Sequence, residues 1–205
     1  MGEVIVDSAA DKRIIGLTGG IATGKSTVSD YLSRQYGLPV LDADVFSREA
    51  VAKGSEILGL VRDRYGPNIL LPDGSLNRPQ LGKIIFKDPA ERQWIEQQIH
   101  PFVRAKFDKT KNALPPEQTL VYSIPLLFEA DLTHLVTETW VVTCSPDQQR
   151  SRLMERNQLT KSEAQARINA QMSLEEKCSR ADYVLNNGGD KEALFSQIDE
   201  LIAAG

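Results

Sequence analysis

Cysteine, histidine and aromatic residues are scarce in this sequence, and no long apolar run is present. Only two cysteines, Cys144 and Cys178, occur in 205 residues. They lie far apart, with no Cys-x-x-Cys pair and no neighbouring histidine, so neither a disulfide framework nor a zinc knuckle is expected. A reducing, cytoplasmic setting fits such a chain. No apolar stretch approaches the roughly 20 residues that a bilayer-spanning helix needs. Residues 1–12 lack the basic-then-apolar order of a secretory signal, and Val6 stands where a myristoylation signal wants Ser or Thr. They read as a frayed extension. An excess of basic charge is missing too. Lys plus Arg number 24 against 28 Asp plus Glu, a net charge of -4, so no global field draws the chain to nucleic acid or anionic lipid. Nothing points to an obligate protein partner, and any anion the chain binds must be held by a local site.

What is present is ordinary for a folded protein, with 41% hydrophobic and 25% charged residues. The length suits one compact core with sizeable insertions. Arg13 to Leu17 is a short apolar run that ends in Thr18-Gly-Gly, and 25–35 has helical character, so a strand, a glycine-rich turn and a helix follow one another. Further strands are expected at 38–42, 120–124, 139–143 and 183–185, with a last helix over 190–203. Strands separated by helices imply an α/β fold, a mostly parallel sheet of about five strands flanked by helices.

Two insertions interrupt that core. Between 55 and 114 the signals are almost all helical, broken by the turn Leu71-Pro-Asp-Gly74. There Asp88-Pro-Ala-Glu91 sets an N-cap, a first-turn proline and a reach-back Glu in order, opening a helix that should break or kink near His100-Pro101. The second insertion, 150–180, is marked by capping boxes at Ser145/Gln148, Thr160/Glu163 and Ser173/Glu176, which predict three short helices. It holds seven Lys or Arg and four Glu, a local +3 in an acidic chain. The expected layout is a sheet core of 1–54, 115–149 and 181–205, one helical insertion over 55–114 and a second over 150–180.

Gly19-Gly-Ile-Ala-Thr-Gly-Lys-Ser26 satisfies Gly-x-x-x-x-Gly-Lys-[Ser/Thr] without mismatch. Its glycines let backbone N–H groups turn inward on a phosphate chain, and the next helix presents its positive end to the same anion. Gly19, Gly20, Ala22, Thr23, Gly24, Lys25, Ser26 and Thr27 are therefore the candidate ATP-binding residues. Lys25 would reach the β- and γ-phosphates, and the Ser26 hydroxyl would complete a Mg2+ shell.

Asp42 and Asp44 follow the second strand, whose carboxyl end should face the ligand crevice. One could hold magnesium and the other accept a proton from an attacking hydroxyl, or either could simply cap the next helix, 45–52. Asp44 is the preferred base, which leaves Asp42 for the metal. Arg152 and Arg156 lie four apart on one helix face, with Arg150 beside them and Arg167 on the next helix. They suit a lid that neutralises a transferring phosphoryl group, the plain alternative being a solvated face paired with Glu155 and Glu163. His100, amid Trp94, Ile95, Ile99, Phe102 and Val103, reads by itself as a structural group.

Taken together, Gly16 to Thr27, Asp42-Ala-Asp44 with Arg48, Asp73-Gly-Ser-Leu76 with Arg78, His100-Pro101, Pro125-Leu-Leu-Phe-Glu129, Arg152 to Arg156 and Asn186-Asn-Gly188 resemble the dephospho-CoA kinase family, in order and over nearly all of the chain after Lys12. The resemblance implies a P-loop kinase fold, ATP as co-substrate with Mg2+, and phosphorylation of the ribose 3'-hydroxyl of dephospho-CoA, the last step of coenzyme A synthesis. It also implies Asp44 as base with Lys25, Arg152 and Arg156 catalytic, Asn187 and Gly188 near the adenine, and Arg48, Arg78, His100 and Pro125 in the acceptor region. Ala22 and Thr23 depart from the Gly-Ser often found in that loop. Another small-molecule or nucleoside monophosphate kinase is the nearest alternative. Adenylate-kinase-like enzymes carry Asp-Gly-Phe-Pro-Arg where this chain has Ile124-Pro-Leu-Leu-Phe-Glu129. A non-catalytic nucleotide switch would want a guanine-reading Asn-Lys-x-Asp, which is absent from the sequence.

Overall fold

The computed structural model describes residues 12–204, so the N-terminal extension, apart from Lys12, lies outside the described residues. Lys12 is tied down, its Nζ donating to the Leu114 carbonyl at 2.9 Å. The chain divides into two compact units, one running to Leu41 and resuming at Leu114, the other running from Asp42 to Ala113.

The first unit is built on β1 (Ile14–Gly19), β2 (Val40–Asp42), β3 (Leu120–Ser123), β4 (Glu138–Thr143) and β5 (Tyr183–Asn186). Their order is β2-β3-β1-β4-β5, with β1 pairing in parallel with both β3 and β4, and β5 in parallel with β4. All six residues of β1 are buried, as expected of a central strand covered on both faces. Ile15 and Leu17, two apart, share one face. They pack with Val121, Trp140 and Val142 of the sheet, with Val28 and Leu32 of α1 (Lys25–Tyr36), and with Leu194 and Ile198 of the C-terminal helix over Lys191–Ala204. Tyr31 stacks on Phe195 across these two helices, ring centroids 3.9 Å apart. Tyr31 and Tyr36 both donate to Asp199, and that hydrogen bond pushes the Tyr36 hydroxyl up to about 12.

The second unit takes in α2 (Ala43–Ala50) as well as the helical stretch from 55: α3 (Glu56–Tyr65), α4 (Arg78–Lys87) and α5 (Pro89–Ala113). Its core gathers Val51, Leu58, Val61, Ile69, Leu81 and Ile95. Ser55 and Asn77 cap α3 and α4 by accepting N–H bonds from Leu58 and Gln80. The turn over 71–74 closes with Gly74 N–H on the Leu71 carbonyl at 2.8 Å, flanked by an antiparallel bridge between Leu70 and Leu76.

Three expectations are corrected in this unit. Helix α2 starts at Ala43 rather than 45, because Asp42 itself is the N-cap and accepts from the backbone N–H of Asp44 and Val45 at 2.8 and 3.2 Å. Glu91 does not reach back to cap α5. Its carboxylate takes Arg64 Nε and Nη2 at 2.6 and 2.8 Å and the Tyr65 hydroxyl at 2.6 Å, a bidentate pair that outcompetes a single cap contact. The Arg64 bonds and the Tyr65 hydroxyl hold the Glu91 carboxyl down at about 2. Burial and the bond to Glu91 push Tyr65 up to about 12. Helix α5 also runs unbroken through Pro101, which overturns the break that is one of the two outcomes expected there. A proline there leaves the Gln97 carbonyl without its i+4 donor, but buried Ile95 and Phe107 anchor the helix on either side.

The segment between β4 and β5 forms α6 (Pro146–Asn157), α7 (Lys161–Asn169) and α8 (Leu174–Arg180). The boxes at Ser145/Gln148 and Thr160/Glu163 are complete. That at Ser173 is half made, because the Glu176 carboxylate pairs with Arg180 instead. The C-terminal helix over 191–204 is α9.

Candidate active site

The loop between β1 and α1 is shaped by four outside contacts on its backbone. The Ile21 N–H donates to the Gln171 side-chain oxygen at 2.8 Å, and the Ile21 carbonyl accepts from Gln149 Nε2 at 2.9 Å. The Thr23 carbonyl accepts from Asn187 Nδ2 at 2.8 Å, and the Gly19 carbonyl lies 3.5 Å from Lys177 Nζ. Thr23 is fully buried, and its hydroxyl closes the turn on the Gly20 carbonyl at 2.9 Å. A β-carbon on Gly20 would sit 2.6 Å from Gln149 Nε2, so the side chains that grip the loop need that glycine. Gly24 has a left-handed φ of 103° and is the N-terminal cap of α1, a backbone setting that glycine adopts without a Cβ penalty. Ala22 is also left-handed, at φ 62°. An L-residue with a Cβ adopts this conformation at some cost.

Lys25 opens α1 and its Nζ donates to Ser123 Oγ at the end of β3. Ser26 follows, exposed in the first turn. The loop residues therefore gather at the carboxyl end of a central parallel strand, where open α/β sheets bind ligands, with the N-terminus of a twelve-residue helix behind them.

Of the arginines on α6, Arg152 and Arg156 differ. Arg152 Nη2 donates to the Asn187 carbonyl at 3.0 Å, while its Nη1 is buried with no hydrogen-bond partner among the described residues. Arg156 is exposed and donates to its neighbour Asn157 at 2.9 Å. Arg150 pairs with Asp147. Glu163 is taken up by the Thr160 cap, whose hydroxyl and N–H lower its carboxyl pKa. The Glu155 and Glu163 partners expected for a solvated ion-paired face are thus not what holds Arg152. Cys144, at the end of β4, is buried, and burial pushes its thiol up by more than the nearby Arg152 guanidinium lowers it.

The helical unit has a cleft of its own, about 360 Å³, whose lining includes Asp44, Ser47, Arg48 and Arg78 above Val51, Leu76, Leu81, Ile85 and Ile99. The Arg78 guanidinium leans on the Arg48 carbonyl at 3.4 Å. Three of the residues singled out from sequence, Asp44, Arg48 and Arg78, are brought together here. His100 is not: it is exposed on α5 and does not line the cleft. Pro125 belongs to the sheet unit, where its carbonyl accepts from Thr18 Oγ1 and Lys177 Nζ at 3.1 and 2.9 Å.

Ser123, Gln149, Gln171 and Lys177 are site residues that sequence reasoning missed. Gln149 had a readable signal, since it lies four residues before buried Leu153 and so on the inner face of α6. Among the described residues no three His, Cys, Asp or Glu cluster as metal ligands, and no helix is long and apolar enough to cross a membrane.

The family profile described as dephospho-CoA kinase matches residues 13–192. The chain belongs to the dephospho-CoA kinase family. Proteins named dephospho-CoA kinase from Trichormus variabilis and from Synechocystis are each 57% identical to it. The first aligns over 92% of this chain and 95% of its own length, the second over 91% and 93%. A solved structure from Thermus thermophilus superposes with a TM-score of 0.81 at 34% identity, covering 95% of this chain and 98% of the other. The dephospho-CoA kinase structure from Campylobacter jejuni, at 24% identity, shares the fold with a TM-score of 0.69 over 94% and 96% of the two chains. The dephospho-CoA kinase match takes in the phosphate loop, the whole helical unit and α6 to α8.

Proposed function

We propose that this chain transfers the γ-phosphoryl group of ATP to the ribose 3'-hydroxyl of dephospho-CoA, giving coenzyme A and ADP. The observation that carries this reading is the family match over 13–192, which joins a complete phosphate loop to the cleft-bearing helical unit in one enzyme family. The loop N–H groups from Ala22 to Thr27 and the Lys25 ammonium bind the phosphates, while Gly19, Gly20 and Gly24 leave room for Thr23, Gln149 and Asn187, the side chains that shape the loop. Asn187 contributes through the Thr23 carbonyl, and Gly188 beside it borders the nucleotide. Arg156, exposed on α6, meets the charge that spreads over the transferring group, and the unpartnered Arg152 Nη1 gains a phosphate oxygen when the site is filled.

In the helical unit, the Arg48 and Arg78 guanidiniums over an apolar floor suit an acceptor that joins an anionic group to an uncharged arm with apolar carbons. Dephospho-CoA has that character, with a diphosphate between its adenosine and its pantetheine arm. Asp44, on the same cleft, orients the acceptor hydroxyl and takes its proton. Ser26, in the sheet unit, and Asp42, at the head of α2, each offer an oxygen donor of the kind a hard cation such as Mg2+ takes, and the capping bonds on Asp42 Oδ1 fix that carboxylate in place. Magnesium bound with ATP supplies charge neutralisation on the β- and γ-oxygens. Cys144 and Cys178 are both free thiols, which fits a reducing cytoplasm.

Mass spectrometry of parallel incubations with ATP, Mg2+ and one acceptor each tests this reading. Dephospho-CoA should gain one phosphate, while AMP and other nucleoside monophosphates stay unchanged. Preferential phosphorylation of a nucleoside monophosphate would favour the alternative kinase class.

A further inference from the structure

Lys177 is the only charged side chain in the buried set among the described residues, with no exposed surface at all. It projects from α8, and its Nζ donates at 2.9 Å to the Pro125 carbonyl and at 2.9 Å to Glu129 Oε1, with the Gly19 carbonyl at 3.5 Å. An ammonium has three protons to donate and here meets three oxygens. Enclosing such a pair is costly, and replacing both of its members by apolar groups of similar shape is often neutral or stabilising. Stability therefore gives no account of why a lysine stands here.

Its three acceptors do. Gly19 is the last residue of β1 and the first of the phosphate loop. Pro125 lies two residues beyond Ser123, which receives the Lys25 ammonium. Glu129 Oε1 also accepts the Met172 N–H at 3.1 Å, next to Gln171, whose side chain holds the Ile21 N–H of the loop. One buried cation thus joins the start of the loop, the turn after β3 and the joint between α7 and α8.

We propose that Lys177 is a positioning residue for phosphoryl transfer. It fixes the loop against the Lys25–Ser123 contact and, through Glu129, makes that register depend on the α7–α8 joint. The inference rests on the loop being the ATP site. Small misplacements of reacting groups weigh more on turnover than on ground-state binding.

The test measures turnover at saturating ATP and dephospho-CoA, ATP affinity by calorimetry and thermal stability for the parent, Lys177→Met, Glu129→Gln and the double variant. Lys177→Met leaves Glu129 Oε1 and two carbonyls without their donor and should melt below the parent. Assayed well below its own melting temperature, it should bind ATP within about threefold and turn over about 10- to 100-fold more slowly. Glu129→Gln should lose less in the same direction, and the double variant should lose no more than Lys177→Met alone, because the two act as one unit. Turnover of Lys177→Met within twofold of the parent overturns the role, as does a loss that disappears when parent and variant are assayed at the same interval below their own melting temperatures. If Lys177→Met does not fold, Glu129→Gln decides: slower turnover at the parent's melting temperature supports the role, and full turnover refutes it. A parent that leaves dephospho-CoA untouched contradicts the assigned reaction instead, so the two failures are distinct.

Discussion

Asn187 Nδ2 reaches the Thr23 carbonyl at 2.8 Å and lies only 2.0 Å from where a β-carbon on Gly24 would stand. The glycine and the asparagine are therefore one fit, although 163 positions separate them in the chain. The lack of a side chain at 24 is what lets the amide hold the loop.

Asn187→Ala removes that donor and leaves the Thr23 carbonyl buried without it, at a cost of about 1 to 3 kcal/mol. We expect lower stability in denaturant titrations and a KM for ATP raised about tenfold, with the KM for dephospho-CoA little changed. An unaltered KM for ATP would show that the loop keeps its shape without Asn187.

Arg152 and Arg156 should separate on substitution. Arg152→Ala loses the bond to the Asn187 carbonyl, so it should weaken ATP binding and lower stability together. Arg156→Ala touches an exposed side chain and should leave stability within about 0.5 kcal/mol of the parent, while turnover falls more than either substrate affinity. If Arg156→Ala changed only the acceptor's dissociation constant, Arg156 would be a substrate clamp.

The two carboxylates at the start of α2 can be told apart because asparagine caps a helix as well as aspartate does. Asp42→Asn should keep the cap and the fold, and show itself as a raised magnesium requirement. Asp44→Asn should lower turnover by about 10² to 10⁴, the range of a positioned general base, with ATP binding kept. Should Asp42→Asn abolish turnover while Asp44→Asn stays within a few-fold of the parent, the two exchange roles.

The sheet, its parallel sense and the phosphate loop can be read from the sequence because each rests on local pattern. Ile14 to Leu17 is an apolar run leading into glycines, and Ser145 and Thr160 head complete capping boxes. Contacts between distant segments cannot be read this way. Nothing near Glu91 announces Arg64 and Tyr65, which take it away from its cap. Nothing local separates Lys177, fully enclosed, from Arg180 on the same helix, half exposed in its ion pair. The break expected as one outcome at Pro101 fails for a related reason: a proline breaks an isolated helix, whereas packing at Ile95 and Phe107 carries this one through.

The Arg64–Glu91–Tyr65 group makes the helical unit sensitive to acid. The Glu91 carboxyl sits at about 2, below its ordinary 4.5, so its contribution to stability is complete above pH 4.5 and is lost as pH falls toward 2. Glu91→Gln should thus be less stable than the parent at pH 7, with the gap narrowing below pH 4.5 and closing near pH 2. A gap that is constant with pH would mean that the charge of Glu91 contributes nothing.

If the phosphate loop delivers its phosphoryl group to one defined hydroxyl, two-dimensional 31P–1H correlation NMR of the product formed from dephospho-CoA, ATP and Mg2+ reads which hydroxyl received it, with Lys25→Ala run in parallel. The parent should give a new phosphorus signal coupled to the ribose H3' proton, and Lys25→Ala, folded and with its lysine gone, should give almost none. Phosphate on any other atom of the acceptor, release of inorganic phosphate without transfer, or undiminished product from Lys25→Ala would contradict it.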